Sequence, residues 1–216
     1  MLQSLHRVRT RLQRDRVAVA NQLRGLLAEF DVVLPRSIAT LRKRVPEVLD
    51  SGQFVGVQAE LFQGLLEELR QRDEQVKQYT KRIEQLAMAD PVAVKLMALN
   101  GVGVLTASAL SAEVADARVF RNGRQLSAYL GLVPRQFSTG GKNRLGSITK
   151  RGDRYLRQLL VHGARSVIRH LGDKQDRVSC WIRQLIARRG MNKAVVALAN
   201  KQARWAWAVM AQAQAV

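Results

Sequence analysis

Residues 135–157 read RQFSTGGKNRLGSITKRGDRYLR, a Ser-Thr pair followed by two glycines and surrounded by seven Lys and Arg residues. A serine or threonine hydroxyl is a nucleophile once something accepts its proton, and glycines beside it leave room for a substrate backbone. Two familiar chemistries do not fit the spacing. The Gly-Gly-Lys at 140–142 lacks the G-x-x-x-x-G-K-[ST] pattern of a nucleotide-binding loop, with Asn at 143 and no strand expected before it. A hydrolase serine would need a strand-turn-helix elbow and a histidine partner, and His6, His162 and His170 have no triad context. What remains is a small hydroxyl on a glycine-bearing loop, with Arg135, Lys142, Arg144, Lys150, Arg151, Arg154 and Arg157 able to surround it. Cations in that arrangement stabilise a phosphate whose charge grows during in-line attack. Two readings follow: a hydroxyl that attacks a DNA phosphodiester, and a loop that only grips the backbone, which composition alone favours.

The charge distribution says where such a polyanion would sit. Residues 1–116 carry 16 basic and 14 acidic side chains, whereas residues 117–216 carry 20 and 3, so nearly all of the formal +19 lies in the second half. A field of that sign and density suits nucleic acid. Membrane binding is the competing reading, but no apolar run approaches the roughly 20 residues a span requires and no signal-peptide pattern follows Met1. The chain therefore reads as soluble and intracellular. Its single cysteine, Cys180, excludes an internal disulfide and a cysteine-based metal framework, and reads as a small buried apolar residue.

The elements that must position these residues read as helices almost throughout, because apolar residues recur at spacings of three and four and no period-two run stands out. An all-α fold is expected. The first segment places Leu2, Leu5, Val8, Leu12, Val19, Leu23 and Leu26 on one side of a long amphipathic helix and Arg7, Arg9, Arg11, Arg14 and Arg16 elsewhere. Pro35 and Pro46 bracket a short helix, and residues 51–56 form a turn. From Phe62, the set Leu65, Leu69, Arg72, Val76, Tyr79, Ile83 and Leu86 alternates spacings of three and four, a coiled-coil seam interrupted by one arginine. That seam serves either two helices of one chain or a homo-oligomer. Asp90-Pro91 marks a boundary, giving a helical connector over 1–90 and a second domain over 91–216.

The second domain opens with KLMALNGVGVLTASALSAEV at 95–114, two helical stretches joined by Gly-Val-Gly. This resembles the helix-hairpin-helix motif of DNA repair and recombination proteins. Asn100, Gly101, Gly103 and Thr106 would then present backbone N–H groups at a helix mouth to a phosphate, without regard to base sequence. An ordinary helical hairpin with a glycine turn is the plainer alternative. A helix over 152–171 places Arg154, Arg157, Arg165 and Arg169 near one face, with Asp153 as its cap. Trp181, Trp205 and Trp207 read as core or oligomer packing ahead of base stacking.

Taken in order, LMALNGVGVLTASALSAEV, FRNGRQLSAYLGLVPRQFSTGGKNRLGSITKRGDRYLRQLLVHGAR and MNKAVVALANKQARWAWAVM resemble the C-terminal transposase domain of the insertion-sequence 110/1111 group, related to the Piv DNA invertase. The opening LHRVRTRLQRDRVAVANQLRGLLAEF resembles the connecting helix of the same proteins. The resemblance implies a DNA transposase or recombinase of the bacterial cytoplasm, associated with the nucleoid and guided by a structured RNA. It implies a covalent phosphoserine link to DNA, with Ser138 as the nucleophile by its place in the S-T-G-G motif and Thr139 as the fallback. It also implies Mg²⁺ held by an acidic quartet in an N-terminal RuvC-like domain. That domain is expected to be missing here, because the first residues already read as the connecting helix and only Asp153, Asp173 and Asp176 are acidic after residue 116. A truncated chain that binds nucleic acid without completing strand exchange unaided is the expectation. A non-catalytic helix-hairpin-helix binding module is the alternative.

Overall fold

In the computed structural model, residues 1–137, 140–142 and 144–214 are described. Ser138, Thr139, Asn143, Ala215 and Val216 lie outside the described residues. The chain divides into two compact units, one built on Gln3–Arg82 and the other on Ile83–Val216.

The first unit contains α1 (Leu2–Ala28), α2 (Ile38–Asp50) and most of α3 (Val57–Met88). Arg9 of α1 bonds to Thr80 of α3 and Arg16 to Asp73, so rising numbers on one helix meet falling numbers on the other and the pair is antiparallel. Val19, Leu23 and Leu27 of α1, Leu41 and Val45 of α2, and Phe62, Leu66 and Leu69 of α3 form its core. Phe30 meets Phe54 and Phe62 edge-on, with ring centroids 5.3 and 6.0 Å apart. Ser37 caps α2, its Oγ accepting the Thr40 N–H at 3.2 Å. Pro46 lies inside α2 and does not end it. Val48 and Leu49 beyond it pack on the same core as Leu41 and Val45, so tertiary burial outweighs the lost helix hydrogen bond.

The buried stripe of α3 differs from the expected seam. The buried positions of α3 are Phe62, Leu66, Leu69, Asp73, Val76, Ile83 and Ala87, so Leu66, Asp73 and Ala87 stand one residue later than the expected Leu65, Arg72 and Leu86, and no buried residue replaces Tyr79. The polar interruption is thus Asp73, not Arg72. It can be buried because Arg16 Nη1 lies 3.1 Å from Oδ1 and Arg42 Nη1 2.8 Å from Oδ2. The same polar layer corrects the expected face of α1. Val8 is exposed, whereas His6 and Arg9 are buried. Arg9 is held by bonds of 2.7 Å to Thr80 Oγ1 and 3.2 Å to Gln13 Oε1. Burial pushes the His6 imidazole down to about 4, with the Arg9 charge adding to the effect.

The second unit contains α4 (Pro91–Met97), α5 (Val104–Glu113), a 3-10 turn (Ala117–Val119), α6 (Gly123–Tyr129), β1 (Pro134–Gln136), β2 (Leu145–Ile148), α7 (Arg154–Arg169), α8 (Arg177–Arg189) and α9 (Met191–Ala213). The fold is all-α apart from the small hairpin β1–β2. Helix α9 is the central element, packing on α4, α6, α7, α8 and the 3-10 turn. Ala194, Ala199, Ala203 and Ala206 are fully buried along it, and their small side chains let four other helices approach closely. Asp90, Asn122, Asp153 and Asp176 cap α4, α6, α7 and α8 through their side-chain oxygens. Trp207 is a packing residue, its indole N–H donating to the carbonyls of Ala117 and Phe120 at 3.0 and 3.1 Å. Cys180 is half-buried, not fully buried as expected, with Sγ 3.4 Å from the Gln175 carbonyl oxygen. Among the described residues no helix is long and apolar enough to cross a membrane.

Candidate nucleic-acid interface

Residues 134–136 and 145–148 pair as two antiparallel strands where a loop was expected. Pro134 pairs with Ile148 and Gln136 with Leu145, with a bulge between them. Both strands are exposed on both faces except at Ile148, so no apolar alternation marks them in the sequence. Phe137 N–H to Arg144 O at 2.8 Å extends the pairing toward the tip, where Gly140 and Gly141 both have positive φ.

The root of the hairpin is built from two crossing backbones. Gly131 has φ 69° and Gly152 has φ 92°. A Cβ on Gly131 would stand 2.0 Å from the Arg151 carbonyl oxygen, and one on Gly152 would stand 1.8 Å from that of Tyr129. Only glycine fits either position. Thr149 N–H bonds to Val133 O at 2.9 Å and Lys150 N–H to Gly131 O at 3.1 Å. Arg157, half-buried on the first turns of α7, donates to Leu130 O at 3.0 Å.

The structure places the seven cations in two roles. Arg135, Lys142, Arg144, Lys150, Arg151 and Arg154 are exposed on the hairpin, its root and the start of α7. Arg157 instead ties the root together and has little freedom to reach a ligand. On α7, Arg154, Arg165 and Arg169 are exposed and share a face. Asp153 accepts the Leu156 N–H at 2.5 Å. Asp176 accepts from Val178 and Ser179, and these hydrogen bonds, led by the Ser179 hydroxyl, hold its carboxyl below the usual range. Both carboxylates are thereby committed to helix ends. Among the described residues no group of three or more His, Cys, Asp or Glu is placed to hold a metal ion.

The Gly-Val-Gly turn lies between α4 and α5, but much of it faces protein. A Cβ on Gly101 would meet Gln202 Nε2 at 2.2 Å and Val167 Cγ2 at 2.7 Å. Gln202, fully buried on α9, donates to Asn100 O at 2.8 Å. Thr106 is 5% exposed and points into the core, so it offers no surface to a phosphate. Asn100 and Gly103 are the exposed members of the set. The glycine requirement at 101 is met by tight helix packing, whatever the turn binds.

Beside the hairpin is a groove of about 1580 Å³ that the sequence reading did not assemble. Strand β2, the N-terminus of α6, and α8 and α9 line it. Arg124, Arg189, Lys193, Lys201 and Arg204 border it with no carboxylate among the lining residues. Trp181 and Trp205 also line it, with Lys201 Nζ 4.4 Å from the Trp181 ring centroid and 5.3 Å from that of Trp205. The available signal was the spacing of Lys193, Lys201 and Arg204, eight and three residues apart and hence on one side of a helix.

Residues 93–179 match the family described as Transposase IS116/IS110/IS902. The chain is 44% identical over 214 residues to a probable family 20 transposase of Pseudomonas aeruginosa, covering 98% of this chain and 63% of that protein. It is 42% identical over 212 residues to the transposase for insertion sequence element IS1111A of Coxiella burnetii, covering 97% and 58%. With the transposase for insertion sequence element IS1328 of Yersinia enterocolitica the identity is 36% over 211 residues, covering 98% and 63%. The chain thus spans about three-fifths of the length of these relatives. With a family match in the second unit and alignments running nearly end to end through both, the chain is similar to about three-fifths of these transposases, and its residues 93–179 match the IS116/IS110/IS902 family.

Proposed function

We propose that this chain is the DNA-gripping and strand-joining part of a transposase, with Ser138 as the nucleophile and Thr139 as the fallback. The observation that carries this reading is the exposed hairpin with a fixed root, whose cations Arg135, Lys142 and Arg144 face solvent beside a groove free of carboxylates. The serine oxygen attacks a DNA phosphorus and a Ser–O–P bond forms. The P–O bond to one deoxyribose breaks, and that oxygen leaves as a hydroxyl, taking up in net the proton that the serine gives up. Attack by the hydroxyl of a new DNA end reverses the step, reseals the strand and frees the serine. The exposed cations neutralise the phosphate through both steps. No nucleotide cofactor is consumed, because the phosphoester energy is kept in the linkage.

Asp153 and Asp176 accept helix N–H groups, and among the described residues no group of three or more His, Cys, Asp or Glu is placed to hold the Mg²⁺ implied by the family resemblance. No step of the reaction is placed through it. A guide RNA and self-association through α3 belong to the same reading as partners of the working complex. The rival reading, a non-catalytic helix-hairpin-helix module, is weakened by the burial of Thr106 and the packing of Gly101.

The test is a denaturant-resistant protein–DNA adduct formed on labelled DNA carrying the element's ends. Ser138→Ala should abolish the adduct while leaving equilibrium DNA binding nearly unchanged. An adduct that persists in the double variant Ser138→Ala, Thr139→Ala refutes the assignment.

A further inference from the structure

The groove beside the hairpin has a property that duplex phosphate contacts do not require. Its cations surround two indole rings. Both rings are half-buried and pack partly on the core, but Lys201 Nζ stands within 5.3 Å of both ring centroids, so the ammonium covers them on the groove side and one small group can reach both. Trp207 differs, because its N–H is used on two backbone carbonyls. The rest of the lining includes apolar side chains such as Leu132, Ile148, Leu185 and Val196. A duplex presents phosphates and base edges to a protein and keeps its base faces stacked. An unpaired strand presents both a phosphate chain and free base faces. Bases stack on aromatic rings without regard to sequence, while Lys and Arg follow the backbone.

We infer that this groove binds an unpaired DNA strand, with bases stacked on Trp181 and Trp205 and phosphates on Arg124, Arg189, Lys193 and Arg204. The Lys201 ammonium holds the ring faces until a base displaces it, then turns to a phosphate. Among the described residues none of these five cations is in an ion pair, so no protein carboxylate has to be displaced first. The choice of DNA rests on the proposed function, because β2 lines the groove and Ser138 lies in sequence between β1 and β2.

The experiment measures binding of a short labelled oligothymidylate, the matching duplex and the matching oligouridylate to the purified chain by anisotropy. Trp181→Ala and Trp205→Ala should each weaken the single DNA strand about tenfold or more and change duplex affinity less than about twofold. Trp181→Phe should restore most of the loss, since a ring face is retained. If an alanine variant fails to fold, Lys201→Glu and cross-linking of 5-iododeoxyuridine DNA decide instead. Weakened single-strand binding and cross-links at peptides containing Trp181 or Trp205 are expected. Equal losses on duplex and single strand, or cross-links confined to other elements, overturn the assignment. Tighter and equally tryptophan-dependent binding of the RNA strand overturns the choice of DNA. None of these readouts uses the covalent adduct, so failure here and failure of Ser138 as nucleophile are distinguishable.

Discussion

Gly163, in the middle of α7, faces the Gly101 turn, and Gly163→Ala sets two known effects against each other. Alanine is favoured over glycine inside a helix by about 1 kcal/mol, which alone would stabilise the second unit. The added Cβ, however, would stand 1.9 Å from the Gly101 carbonyl oxygen, where ordinary contact begins at 3.4 Å. Both surfaces are backbone, so no side chain can rotate away, and about 1.5 Å of separation has to be found by moving the turn or the helix. Overpacking of this kind costs about 3 kcal/mol, and shifting the turn also strains the Gln202 to Asn100 hydrogen bond, worth about 1 kcal/mol. The net expectation is a loss of about 3 kcal/mol, read as a urea midpoint lower by about 1 to 2 M. All three tryptophans lie in the second unit, so their fluorescence follows its unfolding alone. Gly64→Ala in α3 is the control: nothing lies within 4 Å of the new Cβ, and the first unit should gain about 1 kcal/mol by circular dichroism. A Gly163→Ala protein as stable as the wild type would refute the close-packing account of the Gly-Val-Gly turn.

Two further predictions concern the first unit. Asp73→Ala leaves Arg16 and Arg42 facing each other without their carboxylate. Because both arginines are partly exposed and can rehydrate, the loss should be about 2 kcal/mol, below that for a fully buried pair, measured by denaturation followed by circular dichroism. His6 has a folded value of about 4 against 6.5 in a free chain, so the folded state favours the neutral ring. Its stabilising contribution is complete above pH 6.5 and falls as pH drops through the window to about 4. His6→Gln should flatten the pH dependence of the first unit's stability in that window.

The helices were legible because each buries a continuous apolar stripe, and the Asp153 cap was legible because capping is a local matter. The hairpin was not, since its strands are short and exposed on both faces, leaving no period-two pattern to read. The register of α3 slipped because pattern reading places charge outside, whereas Arg16 and Arg42, 57 and 31 residues away in sequence, make Asp73 a buried residue. The candidate site divides the same way. The basic loop and its Ser-Thr-Gly-Gly are contiguous and could be read directly. The groove joins residues from 122 to 208, which no single stretch of sequence brings together, while Trp181 and Trp205 pack partly on the core as expected.

The glycine crossing at the root makes the hairpin a ruler. With its base held by Gly131, Gly152 and Arg157, any change in strand length is delivered entirely to the far end. Adding two residues to each strand moves the tip outward by about 6.8 Å and preserves which side chains face the groove. Adding one residue to each reverses the faces. Two residues of extension equal about two nucleotide rises along one DNA strand. The reach of the turn that carries Gly140 and Gly141 can therefore be reset in nucleotide-sized steps by insertions that never touch the helical core.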